Sequence, residues 1–209
     1  AVDVLRGDWG RVVFGMGVTL APSALGYLLS VYLLSYGTTT AGVPQQTMLL
    51  AITAASVVYL VVAYLTGRVS DRVGAARIFT VASVLSVLTP FAVFALVDTK
   101  AIPAVVSATL IMGVVLGLLV AVQAIIVSRA FPTPVRYSGA SMSYQFGAVL
   151  GGGPTPLVAA AILGASGSSL LVAAYIAGLA VLSGIAVWFL PREAEEEPAT
   201  AAGEGALAV

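Results

Sequence analysis

Apolar residues in this chain come in long uninterrupted blocks, and the polar positions that break them gather in short gaps. Crossing about 30 Å of hydrocarbon takes roughly 20 residues of helix. Six blocks are long enough: Val12–Tyr36, Val43–Thr66, Ala76–Val97, Ile102–Val127, Ser138–Leu163 and Ser168–Leu190. The pattern predicts an all-α membrane protein, a six-transmembrane-helix bundle over residues 12–190. A short charged segment, 1–11, precedes it and reads as a cytoplasmic linker. Residues 191–209 are rich in Glu, Ala, Gly and Pro, a composition that predicts a disordered cytoplasmic tail or an acidic recognition segment. The first block is too long for a signal peptide and has no cleavage pattern leading into a soluble domain.

Charge fixes the orientation. Eight of the nine basic residues fall in the N-terminal segment, the second and fourth gaps and the tail, while Lys100 alone lies on the other side. By the positive-inside rule both termini are cytoplasmic, as an even number of crossings also requires. The whole chain has nine Lys/Arg against nine Asp/Glu, a formal net charge of zero, so nothing in it recruits nucleic acid. Only 9% of residues are charged and mean hydropathy is +1.07, far from the makeup of a soluble domain. His and Cys are absent, which removes Ser-His triads, thiol nucleophiles, disulfides and the usual zinc, haem and iron–sulfur ligands. No metal or cofactor is expected. With no carboxylate at membrane depth either, intramembrane protease chemistry is excluded and the chain is not read as an enzyme.

The second gap reads Gly67-Arg68-Val69-Ser70-Asp71-Arg72-Val73-Gly74-Ala75-Ala76-Arg77. Gly67 suits a close helix approach and Gly74 a tight turn. Asp71 suits a helix N-terminus or an arginine, and Arg72 and Arg77 can reach carboxylates or last-turn carbonyls. Spacing alone leaves two readings open, a conformational latch and a charged loop that only sets topology. The segment resembles the cytoplasmic signature G-x-L-[AS]-D-[RK]-x-G-R-[RK] of the major facilitator superfamily, found after the second helix of each six-helix half. Val69 replaces the Leu, Ala75 and Ala76 replace the closing basic pair, and Arg77 comes one place late.

The fourth gap, Phe131-Pro132-Thr133-Pro134-Val135-Arg136-Tyr137-Ser138-Gly139, is similar to the F-P-T-x-x-R-Y-S-G segment of the metabolite:proton symporter family. Its prolines end one helix, Thr133 or Ser138 can cap the next, and Arg136 can bond exposed carbonyls or an adjacent acid. Arg129 stands where many relatives carry Glu. The following stretch, Ser143-Tyr144-Gln145 through Gly151-Gly152-Gly153-Pro154-Thr155-Pro156, looks like that family's eleventh helix. The resemblance implies helices seven to twelve of a twelve-helix carrier. Ala1, in place of an initiating Met, fits the same expectation of a half-carrier that needs an N-terminal six-helix partner.

Inside the spans, polar residues and helix breaks point to a substrate. The glycine run and prolines near the middle of span five free backbone groups that lipid cannot satisfy. They read either as cavity wall, with Gly152 and Thr155 as contacts, or as tight packing like Gly113-x-x-x-Gly117 in span four. Thr19, Ser23, Tyr27 and Ser30 form a stripe in span one, and Thr53, Ser56 and Tyr59 a looser one in span two. Gln123, Tyr144 and Gln145 lie toward the cytoplasmic half. Their donors and acceptors suit a carboxylate, hydroxyl or zwitterion; the competing reading has Gln123 bracing two helices. Tyr32, Tyr36 and Tyr137 read as interfacial aromatics.

No Asp, Glu or His lies inside a span. If the complete carrier is a proton symporter, as the resemblance implies, the protonation site is expected in the N-terminal half. The leading expectation is a secondary carrier of a small hydrophilic metabolite (organic acid, shikimate-like or betaine-like solute) in a bacterial inner membrane. The alternative is a self-standing six-helix channel or homodimer.

Overall fold

Six helical spans emerge in the computed structural model, which describes residues 9–190. The first span is α1 (Trp9–Tyr27), a π-helical turn (Leu28–Tyr32) and α2 (Leu33–Thr39). The second to fourth are α3 (Gln45–Val73), α4 (Ala75–Val97) and α5 (Ile102–Arg129). The fifth comprises α6 (Arg136–Gly151) and α7 (Thr155–Ser166), and the sixth is α8 (Ser169–Phe189). All six spans are long and apolar enough to cross a bilayer. The chain is already helical at Trp9, three residues ahead of the apolar block; residues 1–8 and the expected tail lie outside the described residues.

The second span shows the largest difference from expectation. Apolar character stops at Thr66, yet α3 continues to Val73. Hydropathy marks where hydrocarbon ends, and a helix needs no hydrocarbon to keep its backbone bonds. The charged motif is therefore two helical turns and a single-residue link. That link is Gly74, at φ 95° and ψ 128°, a conformation open to glycine and strained for any residue with a Cβ.

α1 packs against α5, α6 and α8; α5 packs against α3 and α4; α4 packs against α8. Spans two and five are the least covered, with 17% and 28% of their apolar windows buried. Small residues make the close approaches. A Cβ on Gly113 would lie 2.5 Å from the Ala55 carbonyl oxygen, and one on Gly117 would lie 2.9 Å from that of Tyr59. The Gly113–Gly117 pair thus seats α5 directly on the backbone of α3.

Proline costs α1 a helical bond, and another span supplies the replacement. Pro22 lies inside α1 and has no N–H for the Val18 carbonyl, four residues back. Ser183 Oγ, on α8, donates to that carbonyl at 2.8 Å. At the fourth gap, Arg11 Nη1 donates to the Ala130 carbonyl at 3.1 Å and Arg136 Nε to that of Phe131 at 3.2 Å. α6 starts at Arg136 with Val135 as its N-cap and no side-chain cap, so neither Thr133 nor Ser138 caps it. A backbone turn from Val135 N–H to the Pro132 carbonyl closes the loop instead.

Tyr32 and Tyr36 are packed inside the bundle instead of turning outward to the membrane–water boundary. They are 5% and 6% exposed, stacked on each other and edge-on to Phe94. Tyr36 donates to Asp98 Oδ1 at 2.5 Å and Ser169 donates to Oδ2 at 2.6 Å. One carboxylate thus ties spans one, three and six together at the end remote from Gly74. Tyr137, at 89% exposure, does sit on the surface.

Candidate functional site

A cavity of about 530 Å³ opens between spans one, two, four and five. It lies midway along them, and four of the sequence candidates line it: Tyr27, Tyr59, Gln123 and Tyr144. Ser23, Ser30 and Ser56 add hydroxyls, while Leu116, Val120 and Ile52 supply apolar wall. No charged side chain is among its lining residues. Small-molecule sites have this character, mostly apolar with a few placed polar groups.

Each polar side chain is held by a different device. Tyr27 closes α1 just before the π-helical turn, which inserts an extra residue into the helical register. The Tyr27 ring rests on the break in span five: a Cβ on Gly152 would fall 2.6 Å from its Cδ2. Tyr59 stands at the backbone approach made by Gly117. Gln123 is 3% exposed, and its Nε2 donates to Thr19 Oγ1 at 3.2 Å while Thr19 donates to the Gly15 carbonyl. Gln123 makes no other hydrogen bond among the described residues, so its carbonyl oxygen and second amide hydrogen remain on the cavity wall. The interhelical brace and the cavity contact are the same residue. Ser30 and Ser56 bond their own helices, to the Gly26 and Ile52 carbonyls, but their oxygens keep lone pairs for a ligand.

The helix break falls where the glycines and prolines placed it, at residues 152–154. Its residues do not line the cavity. Gly151 packs on the Leu20 backbone, Gly152 on Tyr27, and buried Thr155 turns its hydroxyl to the Gly151 carbonyl. That bond meets part of the break's unpaired backbone internally. Gln145 is exposed and lies outside the cavity, one position and about 100° round the helix from Tyr144.

The charged motif of the second gap gathers at the basic end. Asp71, Arg72 and Arg77 are exposed, and among the described residues none of them joins an ion pair. Arg68 instead lies over the Tyr64 ring, 4.6 Å from its centroid, a cation–π contact. The close approach expected of Gly67 is absent: a Cβ there would meet nothing within 4 Å, because that face of α3 points away from the other helices. Sequence reasoning also missed Asp98 as a shared acceptor and the partnership of Thr19 with Gln123. The regular polar stripe through Thr19 was the available signal for the second.

Known proteins resemble this chain in sequence and in fold. The sequence model of a family described as Major Facilitator Superfamily matches residues 9–208. The ectoine/proline transporter ProP of Corynebacterium glutamicum is 28% identical, over 92% of this chain and 38% of its own length. The inner membrane metabolite transport protein YhjE of Escherichia coli is 31% identical, over 82% of this chain and 40% of its own. The shikimate transporter of Escherichia coli is 26% identical, over 66% and 32%. The chain therefore spans about two fifths or less of the length of these relatives. An inward-open structure of the xylose transporter XylE from Escherichia coli superposes with a TM-score of 0.56 at 16% identity, covering 88% of this chain and 46% of that one, a likeness of fold.

Proposed function

Because the chain belongs to the major facilitator superfamily and is a multi-pass integral membrane protein, we propose that it forms the C-terminal half of a proton-coupled secondary carrier of a small polar solute. Its cavity is half of the solute site. The N-terminal six-helix half packs across the open side, on the sparsely covered spans two and five, and the two halves rock about the site in alternating access. The carrier works in a bacterial inner membrane.

The uncharged cavity carries this reading. Three phenols, an amide and three serine hydroxyls surround a space of about 530 Å³, enough for a solute the size of an amino acid. A net anion would find no counter-charge on these walls, so they favour a solute of zero net charge. Aromatic faces attract quaternary or secondary ammonium groups, and Gln123 can hold a carboxylate or hydroxyl. Proline-, betaine- and ectoine-like zwitterions, named in the relatives' descriptions, meet both requirements. A shikimate-like hydroxy acid would need its cation from the other half. The proton site belongs there too, since residues 12–67, 78–97, 101–128 and 137–191 contain no acid, base or His.

The test is uptake by proteoliposomes of the full-length carrier under an imposed pH gradient. Accumulation of labelled proline, betaine or ectoine that collapses when the gradient is dissipated supports the reading. Absence of accumulation for these and for shikimate overturns it.

A further inference from the structure

Arg77 stands at the mouth of two apolar grooves on the outside of the bundle. One, of about 340 Å³, runs between α3 and α4 past Leu65, Val69 and Val81. The other, of about 400 Å³, lies between α4 and α8 against Val187 and Trp188. Through Thr80 and Trp188 it continues into a groove of about 470 Å³ walled by Val84 and Val181. The α4–α8 groove lies away from spans two and five, where the N-terminal half is proposed to pack, and is the side left to lipid. Trp188 is 75% exposed and marks the headgroup boundary, where indole rings collect.

The position of the arginine departs from the loop signature. Ala75 and Ala76 stand where the loop signature has its basic pair, and the cation comes one residue later. One step along a helix turns a side chain by about 100°. On α4 that step sets Arg77 between the two grooves, exposed and with no hydrogen bond or ion pair among the described residues. Residues 67–77 carry three arginines against one aspartate, a local charge of +2 by subtraction. Below Arg77, Thr80 and Ser83 follow at depths of about 4.5 and 9 Å. Ser83 lines the larger groove and its buried hydroxyl has no hydrogen-bond partner.

We propose that Arg77 binds the phosphate of an anionic phospholipid in the cytoplasmic leaflet, with its acyl chains in the two grooves flanking α4. The guanidinium pairs with phosphate oxygens, and the grooves select for an acyl-bearing ligand. A zwitterionic headgroup brings its own cation to the same place and competes with Arg77.

The experiment is lipid binding to the detergent-solubilised carrier, followed by native mass spectrometry and by the shift in unfolding temperature. The probes are phosphatidylglycerol, phosphatidylcholine and soluble glycerol phosphate. Phosphatidylglycerol is expected to bind at least fivefold more tightly than phosphatidylcholine, the factor that one basic residue near an anionic surface supplies. Arg77→Gln removes that preference, Arg77→Lys retains most of it, and Arg72→Gln leaves it unchanged. Val84→Trp, which fills the larger groove and leaves Arg77 intact, weakens both lipids. Equal binding of the two lipids overturns the site, as does an Arg77→Gln variant that keeps the preference. Protection by glycerol phosphate alone, undiminished in Val84→Trp, overturns the lipid assignment in favour of a free phosphate.

Discussion

Ser183 donates to the carbonyl of Val18 at 2.8 Å, and Val18 is the residue whose carbonyl Pro22 leaves without a helical donor. The sixth span thus completes the backbone of the first. In hydrocarbon no water can take that role. Ser183→Ala should lower stability by about 1–3 kcal/mol, the cost of an unmet buried acceptor. Pro22→Ala restores an N–H at the right place, so Ser183→Ala on that background should cost less than half as much. Thermal unfolding of the four proteins in a double-mutant cycle measures the coupling; additive effects would show that the bond carries none.

Gly152 fixes the height of the Tyr27 ring. A methyl group at that position needs the space held by Cδ2 and Cε2, 2.6 and 2.7 Å from the added carbon. Gly152→Ala should push Tyr27 into the cavity at a stability cost of about 1–3 kcal/mol. Solute uptake should show a KM several times higher. Gly152→Ala with Tyr27→Leu, where the flat ring is gone, should regain part of the stability, the Ala148 carbonyl oxygen still lying 2.9 Å from the added carbon, but not affinity.

Gln123 and Thr19 separate bracing from binding. Thr19→Val removes the acceptor of Gln123 Nε2 and frees the amide to turn, while leaving it on the cavity wall. Gln123→Leu removes both. If the amide touches solute, Gln123→Leu raises KM at least tenfold, about 1.4 kcal/mol, and Thr19→Val raises it less. Equal effects from the two variants would assign Gln123 to bracing alone.

Two glycines should respond oppositely. Gly113→Ala sets a carbon 2.5 Å from the Ala55 carbonyl oxygen, a backbone atom that cannot rotate away. It should reduce folded yield and separate Tyr59 from the other cavity walls. Gly67→Ala meets open space and should be neutral or gain up to about 1 kcal/mol from helix propensity. Fluorescence-detected size exclusion of the two variants is enough to distinguish them.

These contrasts show what the sequence could convey. The spans were legible because lipid demands about 20 apolar residues and punishes charge. The break in span five was legible because three glycines and two prolines cannot hold a helix together. The true end of α3 was not, since Arg68, Asp71 and Arg72 report only that the chain has left hydrocarbon. Nor was the burial of Tyr32 and Tyr36, because spans apolar on every side carry no periodic clue to which face looks inward. The same lack of a rotational mark made Tyr144 and Gln145 equal candidates, although only Tyr144 lines the cavity. The π-helical turn at Leu28–Tyr32 contains no Gly or Pro and left no trace in composition. Asp98 read as a loop charge because its partners, Tyr36 and Ser169, lie 62 and 71 residues away.

The uncharged interior of these spans has an electrical consequence. A potential of 100 mV acts on a fixed elementary charge with about 2.3 kcal/mol, enough to bias a conformational equilibrium nearly fiftyfold. Between residues 12 and 67, and again from 137 to 191, there is no ionisable acid or base on which it can act. Tilting these stretches carries no formal side-chain charge of their own across the field, so a membrane potential finds little in this interior to act on.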